Sequence, residues 1–255
     1  MISQLFRRKA VSREPQGSIP PGKRIYAVGD IHGRADLFDT LLGLIAQDHV
    51  KRGGSEALQI ILLGDLVDRG PDSAGVVERA LQLETASGNT RYLLGNHEEV
   101  FLKALGGDLK ALAFFCKIGG RETILSYGIS EEEYRAVDYS ELLELLRTRV
   151  PPSHRAFLQR FEDLIVLGDY VFVHAGIRPG TSLAQQRSSD LRWIRDEFLG
   201  FFGPFEKIVV HGHTITSEVE IHPHRIGLDT GAYATGCLTA MGFQGTERWV
   251  LQTGA

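Results

Sequence analysis

Gly29-Asp30-Ile31-His32-Gly33 decides how the rest of the chain is read. It follows an apolar stretch, residues 24–28, that reads as a β-strand. It precedes Leu37, Leu41, Leu44 and Ile45, spaced as one face of a helix over 34–48. Working outward, the same arrangement returns. The apolar run 58–63 leads into Gly64-Asp65-Leu66-Val67-Asp68-Arg69-Gly70, then a helical pattern over 72–86 with Asp72 as its N-cap. A third strand, 90–94, runs into Gly95-Asn96-His97-Glu98 ahead of a helix at 97–105. Alternation of this kind predicts parallel strands joined by crossover helices, an α/β fold.

Beyond residue 107 the pattern changes. Residues 107–161 carry helical spacings, the acidic run Glu131-Glu132-Glu133 and Pro151-Pro152, and read as a helical insertion. Strands follow at 163–167 and 170–174 around a Gly168-Asp169 turn, then a short helix at 188–199. Five more strands are expected at 207–211, 217–221, 225–229, 236–241 and 246–251, in a largely antiparallel arrangement. Two further polar clusters close strands here, His174-Ala175-Gly176 and His211-Gly212-His213-Thr214. A single domain over 24–255 results. Residues 1–23 end in the turn Ile19-Pro20-Pro21-Gly22 and read as a disordered basic leader.

Composition narrows the function. Cys116 and Cys237 lie far apart and outside any CxxC pattern, which excludes a disulfide framework and a thiolate zinc site. Reduced thiols fit a cytoplasmic protein. No apolar run approaches the ~18 residues of a membrane span, and no apolar core follows the basic N-terminal residues, so neither a membrane anchor nor a secretory signal is expected. The net charge of −4 is uneven: residues 1–24 hold six basic residues against Glu14, which leaves −9 for the remainder. An acidic body argues against nucleic acid as a partner. Glycine is abundant, 29 of 255 residues, or about 11% against a usual ~7%. Gly29, Gly33, Gly64, Gly70, Gly95, Gly176, Gly212 and Gly231 flank or lie within the site motifs, where backbone must approach a ligand closely.

Ligands of α/β sheets bind at the carboxyl ends of strands. Five clusters at five strand ends can therefore converge. Their Asp, Asn and His side chains offer hard oxygen and borderline nitrogen donors, suited to manganese, iron or zinc more than to calcium. Asp30 and His32 are two apart, so extended backbone projects both to one side. Asn96 and His97 are adjacent and point apart, so one can bind a metal while the other faces a substrate.

The series GDIHG, GDLVDRG, GNHE, HAG and HGHT resembles the calcineurin-like metallophosphoesterases, and within them the bacterial and bacteriophage PPP-type serine/threonine protein phosphatases. The likeness covers roughly residues 24–240. It implies a four-layer α/β sandwich carrying a small helical insertion. It also implies two divalent metal ions, manganese first and iron or zinc as alternatives. One would be held by Asp30, His32 and Asp65, the other by Asp65, Asn96, His174 and His213. A hydroxide bridging the two metals would attack phosphorus directly. Arg69 would clamp the phosphate, joined by Arg195 from a W-x-R match, with Arg192 or Arg178 as substitutes. His97 would be the general acid and Asp68 its hydrogen-bond partner.

Other residues have blander readings. His211 reads as a packed or supporting histidine, and His49, His154, His222 and His224 as surface or satisfied ones. Glu98 supports a helix start, and Trp193 anchors Arg195. Tyr233 is divided between core packing and substrate contact. For the substrate, the run Gly119-Gly120-Arg121-Glu122-Thr123-Ile124-Leu125-Ser126-Tyr127-Gly128 resembles one in bacterial PPP-like phosphatases. It places a phosphorylated protein first and a small phosphoester second. The alternative is symmetrical diadenosine tetraphosphate hydrolysis, and a third is a non-catalytic phosphopeptide-binding scaffold.

Overall fold

The computed structural model describes residues 17–254. β1 (Lys23–Val28), α1 (Ala35–Lys51), β2 (Ala57–Leu62), α2 (Ser73–Ser87), β3 (Thr90–Tyr92) and α3 (Asn96–Leu105) alternate, and β1, β2 and β3 pair in parallel. Five short helices follow: α4 (Leu109–Phe115), α5 (Arg121–Ser126), α6 (Glu131–Ala136), α7 (Tyr139–Arg149) and α8 (Pro152–Leu158). A π-turn, Cys116–Gly120, joins α4 to α5. The remainder comprises β4 (Leu164–Leu167), β5 (Tyr170–Val173), α9 (Ser188–Trp193), α10 (Asp196–Leu199), β6 (Ile208–His211), β7 (Glu220–Ile221), β8 (Arg225–Gly227), α11 (Ala232–Thr235), β9 (Thr239–Gln244) and β10 (Glu247–Gln252).

The strands form two five-stranded sheets, ordered β10-β9-β1-β2-β3 and β4-β5-β6-β8-β7. Side-chain alternation sorts their faces. Tyr26 and Val28 of β1 point to the helices, while Ile25 and Ala27 point to the second sheet. In β5, Tyr170 and Phe172 face the first sheet, and Val171 and Val173 face Leu191 and Phe198 of the outer helices. The layers are therefore helix, sheet, sheet, helix, with Phe172, Phe243, Met241 and Val210 in the central core.

Three expectations change. The C-terminal third is not antiparallel throughout, because β5, β6 and β8 run parallel. A connection of more than thirty residues carrying α9 and α10 lets the chain cross from β5 to β6. The helix expected at 188–199 is two helices, since Arg195 leaves helical backbone at φ −135°, ψ −92°. Finally, residues 1–16 of the expected leader lie outside the described residues, but its last part is packed. Ile19 is buried in the inter-sheet core, and its N–H donates to the Gly245 carbonyl at 2.9 Å.

Candidate metal centre

Each polar cluster leaves its strand through a sharp turn. The five non-glycine residues with left-handed backbone among the described residues all lie in these turns: His32, Asp65, Asp68, Arg69 and His213. Such conformations cost about 1–3 kcal/mol each and persist where surrounding contacts over-determine them. Here the supports are visible. The Ile31 and His32 N–H groups both donate to the Asp65 carbonyl, at 3.1 and 2.9 Å. Gly212 leaves no room for a side chain, because a Cβ there would lie 2.0 Å from Asp30 Oδ1 and Asp30 would have to move.

Asp65 sits at the middle. Its Oδ2 lies 3.6 Å from His32 Nε2 and 3.5 Å from His174 Nε2. His174 Nε2 in turn lies 2.9 Å from Asn96 Oδ1 and 3.2 Å from His213 Nδ1. The far nitrogens are fixed by donation to carbonyls: His32 Nδ1 to Val67 at 2.7 Å and His174 Nδ1 to Leu63 at 2.8 Å. Those bonds leave Nε2 of both rings with a free lone pair, the tautomer a metal requires. Asp30 joins from the other side, its Oδ2 accepting from the His213 N–H at 3.0 Å. Asp30 Oδ1 is buried with no hydrogen-bond partner.

Electrostatics favour cations here. Burial, then the charges of Asp229 and Asp65, push the Asp30 carboxyl well above its usual range. Burial likewise pushes Asp229 up to about 6. The imidazoles around Asp65 outweigh burial and hold it ionised. Burial also pulls His32 down to about 3 and His213 to about 2, so both are neutral donors. Crowded carboxylates, one orphaned oxygen and neutral imidazoles fit divalent ions of the borderline class. Two overlapping groups could hold them: His32, Asp65 and His97, and Asp65, His174 and His213. Asn96 and Asp30 add oxygen donors beside these groups.

His97 faces away from Asn96. Its Nδ1 donates to Asp68 Oδ2 at 2.5 Å, and Arg69 reaches its Nε2 at 3.2 Å. Burial lowers the His97 pKa, but the negative charges of Asp65 and Asp68 outweigh it and raise the net value. Of the three candidate second arginines, Arg195 is at the cluster, its Nε donating to His213 Nε2 at 2.9 Å. Arg192 is tied to Asp163 and Arg178 to Asp190 and Glu197. Trp193 is tied not to Arg195 but to Glu99, at 3.0 Å. Tyr233 meets the edge of His32 at 5.5 Å, with the Arg69 guanidinium 4.9 Å from its ring. A cavity of about 490 Å³ opens here, lined by Arg34, Arg69, Pro71 and Tyr233 among others.

Two residues do more than the sequence reading allowed. Glu98 accepts four backbone N–H groups, from Asp65, Leu66, Val67 and Gly95, so it pins the first half of the GDLVDRG turn to the start of α3. Burial and the Asp65 charge push it up to about 8, against four donors that favour the ionised form. Asp229 enters as a third central carboxylate, and the acid two residues before Gly231 was its only signal. Its Oδ1 accepts from the Gly231 N–H at 2.9 Å. His211 is a packed histidine set edge-on to Phe198, with Nε2 unpartnered.

A sandwich of two sheets with His and Asp groups at its strand ends that could hold metal ions is an architecture in keeping with a metal-dependent phosphoesterase. The chain belongs to the calcineurin-like phosphoesterase family, whose model matches residues 23–252. A symmetrical bis(5'-nucleosyl)-tetraphosphatase of Acidovorax sp. (strain JS42) is 32% identical over 185 residues, 72% of this chain and 51% of that protein. The chain thus spans about half the length of the symmetrical tetraphosphatases it matches. An asymmetrical bis(5'-nucleosyl)-tetraphosphatase of Bacillus velezensis is 26% identical, covering 85% of this chain and 87% of that one. Among solved structures, a Saccharomyces cerevisiae protein serine/threonine phosphatase shares the fold at TM-score 0.53 and 15% identity, over 92% of this chain and 81% of its own.

Proposed function

We propose that this phosphoesterase hydrolyses the central phosphoanhydride of dinucleoside tetraphosphates, giving two nucleoside diphosphates. The likeness to symmetrical tetraphosphatases carries the substrate, since it is the strongest similarity to any protein of named activity given above. The insertion motif had placed a phosphoprotein first. The roughly 490 Å³ cavity beside His32 presents Arg69 and Tyr233 to a dinucleoside tetraphosphate, while Arg34 on its wall is paired with Asp36 and Asp72 also lines it.

In this reading Asp30, His32 and Asp65 would hold one divalent ion, and Asp65, Asn96, His174 and His213 the other, and a bound pair would supply a water of lowered pKa and neutralise charge at phosphorus. Arg69 and Arg195 leave their present histidine partners to bind phosphate oxygens bidentately. Asp68 orients His97, whose Nε2 gives a proton to the leaving oxygen. Tyr233 walls the substrate side of Arg69.

A second reading, phosphoprotein hydrolysis, is favoured by the His97–Asp68 pair. A serine alkoxide leaves poorly and depends on an acid, whereas a nucleoside diphosphate leaves readily. Mn²⁺-dependent turnover on matched diadenosine tetraphosphate, phosphoserine peptide and phosphotyrosine peptide separates the two. Highest kcat/KM on the dinucleotide, with ADP as sole nucleotide product, is expected. ATP plus AMP, or a preference for phosphoserine, overturns the proposal.

A further inference from the structure

The motif from Gly119 to Gly128 has no place in the metal or phosphate roles above, yet it reaches the candidate site. Thr123, on α5, is fully buried beside Asp68. Its Oγ1 donates to Asp68 Oδ1 at 2.7 Å and accepts from the Asp68 N–H at 2.8 Å. Ser73 Oγ lies 2.9 Å from the same hydroxyl. One O–H and two lone pairs are thus all used. The Asp68 carboxylate is likewise divided, with Thr123 on Oδ1 and His97 on Oδ2.

Two further bonds tie the same insertion to the same turn. The Arg69 N–H donates to the Gly119 carbonyl at 3.0 Å, and the Ala74 N–H to Ser126 Oγ at 3.1 Å. Asp68 and Arg69 both hold left-handed backbone, φ 75° and 68°, so this turn needs external support.

We propose that Thr123 is a positioning residue for proton donation: it fixes the Asp68 carboxylate that orients His97, so the helical insertion sets the strength of the acid step. The inference rests on the reading of His97 as the acid. Thr123 touches neither substrate nor metal. Its loss therefore acts on leaving groups that need a proton and spares those that do not. A positioned acid is worth about 10²–10⁴-fold, and loosening its orienting carboxylate removes part of that.

The test uses the Mn²⁺-loaded full chain as wild type, Thr123→Val, Thr123→Ser and His97→Asn. Thr123→Val is expected to lower kcat on a phosphoserine peptide about tenfold and on an aryl phosphate less than about threefold. KM and bound manganese stay unchanged. Thr123→Ser, which keeps the hydroxyl, restores the phosphoserine rate. On the diamagnetic Zn²⁺-loaded chain, the downfield proton resonance of the His97–Asp68 hydrogen bond, assigned by its absence in His97→Asn, shifts in Thr123→Val and returns in Thr123→Ser. Equal losses on both substrates, an unmoved resonance, or failure of Thr123→Ser to restore the rate overturns the proposal. Should Thr123→Val not fold, Thr123→Ala is read against the same outcomes. A His97→Asn enzyme with no leaving-group bias overturns the acid reading itself.

Discussion

Gly212 shows how little tolerance single residues have at this centre. A Cβ there would stand 2.0 Å from Asp30 Oδ1, the carboxylate oxygen that has no protein partner. Gly212→Ala must push Asp30 aside, at a cost of about 1–3 kcal/mol for the overpacking. Because Asp30 is a proposed metal ligand, bound manganese is expected to fall with it. Elemental analysis beside a thermal melt checks this, and a folded variant with full metal content would remove Asp30 from the ligand set. At this scale the sequence was most informative. His32, Asp65, His174 and His213 fall in groups that could hold a metal, with Asn96 and Asp30 beside them, and His97 falls in one of those groups as well. Glu98 was only half legible, because a helix-start acid looks the same whether it caps one N–H or also gathers three more from a turn about thirty residues away.

At the scale of elements, alternation along strands was legible and pairing between them was not. Ile25, Tyr26, Ala27 and Val28 are all apolar, so the sequence shows a buried strand without saying which face meets which layer. The sheet resolves it: odd positions enter the inter-sheet core and even ones meet helices. Strand direction in the C-terminal third was hidden for another reason, since the long β5–β6 connection permits either sense. The break at Arg195 was also silent in the sequence, although it turns that side chain toward His213. The layer assignment has a direct check in β4 and β5. Phe172→Ala removes a fully buried ring from between the sheets and is expected to cost about 3–5 kcal/mol. Val166→Ala on neighbouring β4 removes a side chain that is 43% exposed and should cost no more than about 0.5 kcal/mol. Urea unfolding of both variants measures the difference, and similar losses would contradict the stacking of the two sheets.

Over the whole molecule, the centre couples stability to pH and to metal. No helix among the described residues is long and apolar enough to cross a membrane. Four buried histidines have pKa values pulled down by burial: His32 to about 3, His213 to about 2, His211 to about 4, and His174 in the same direction. An unfolded histidine titrates near ~6.5. Between that pH and the folded value, the unfolded chain binds more protons than the folded one. Each such histidine therefore contributes stability that is fully present above about pH 6.5 and is lost as pH falls through its folded pKa. Asp229, raised to about 6, works in the opposite sense, gaining stability as it takes up a proton in acid. Comparing variants removes that offset. His211 is set edge-on to Phe198, and its Nδ1 lies 3.0 Å from the Gly212 carbonyl. In excess chelator, wild type should lose stability more steeply than His211→Asn between pH 6 and 5, by about 1.4 kcal/mol per pH unit. Denaturant midpoints across that window supply the two slopes. Parallel slopes would mean that His211 is already charged in the folded chain, and that burial does not hold it neutral.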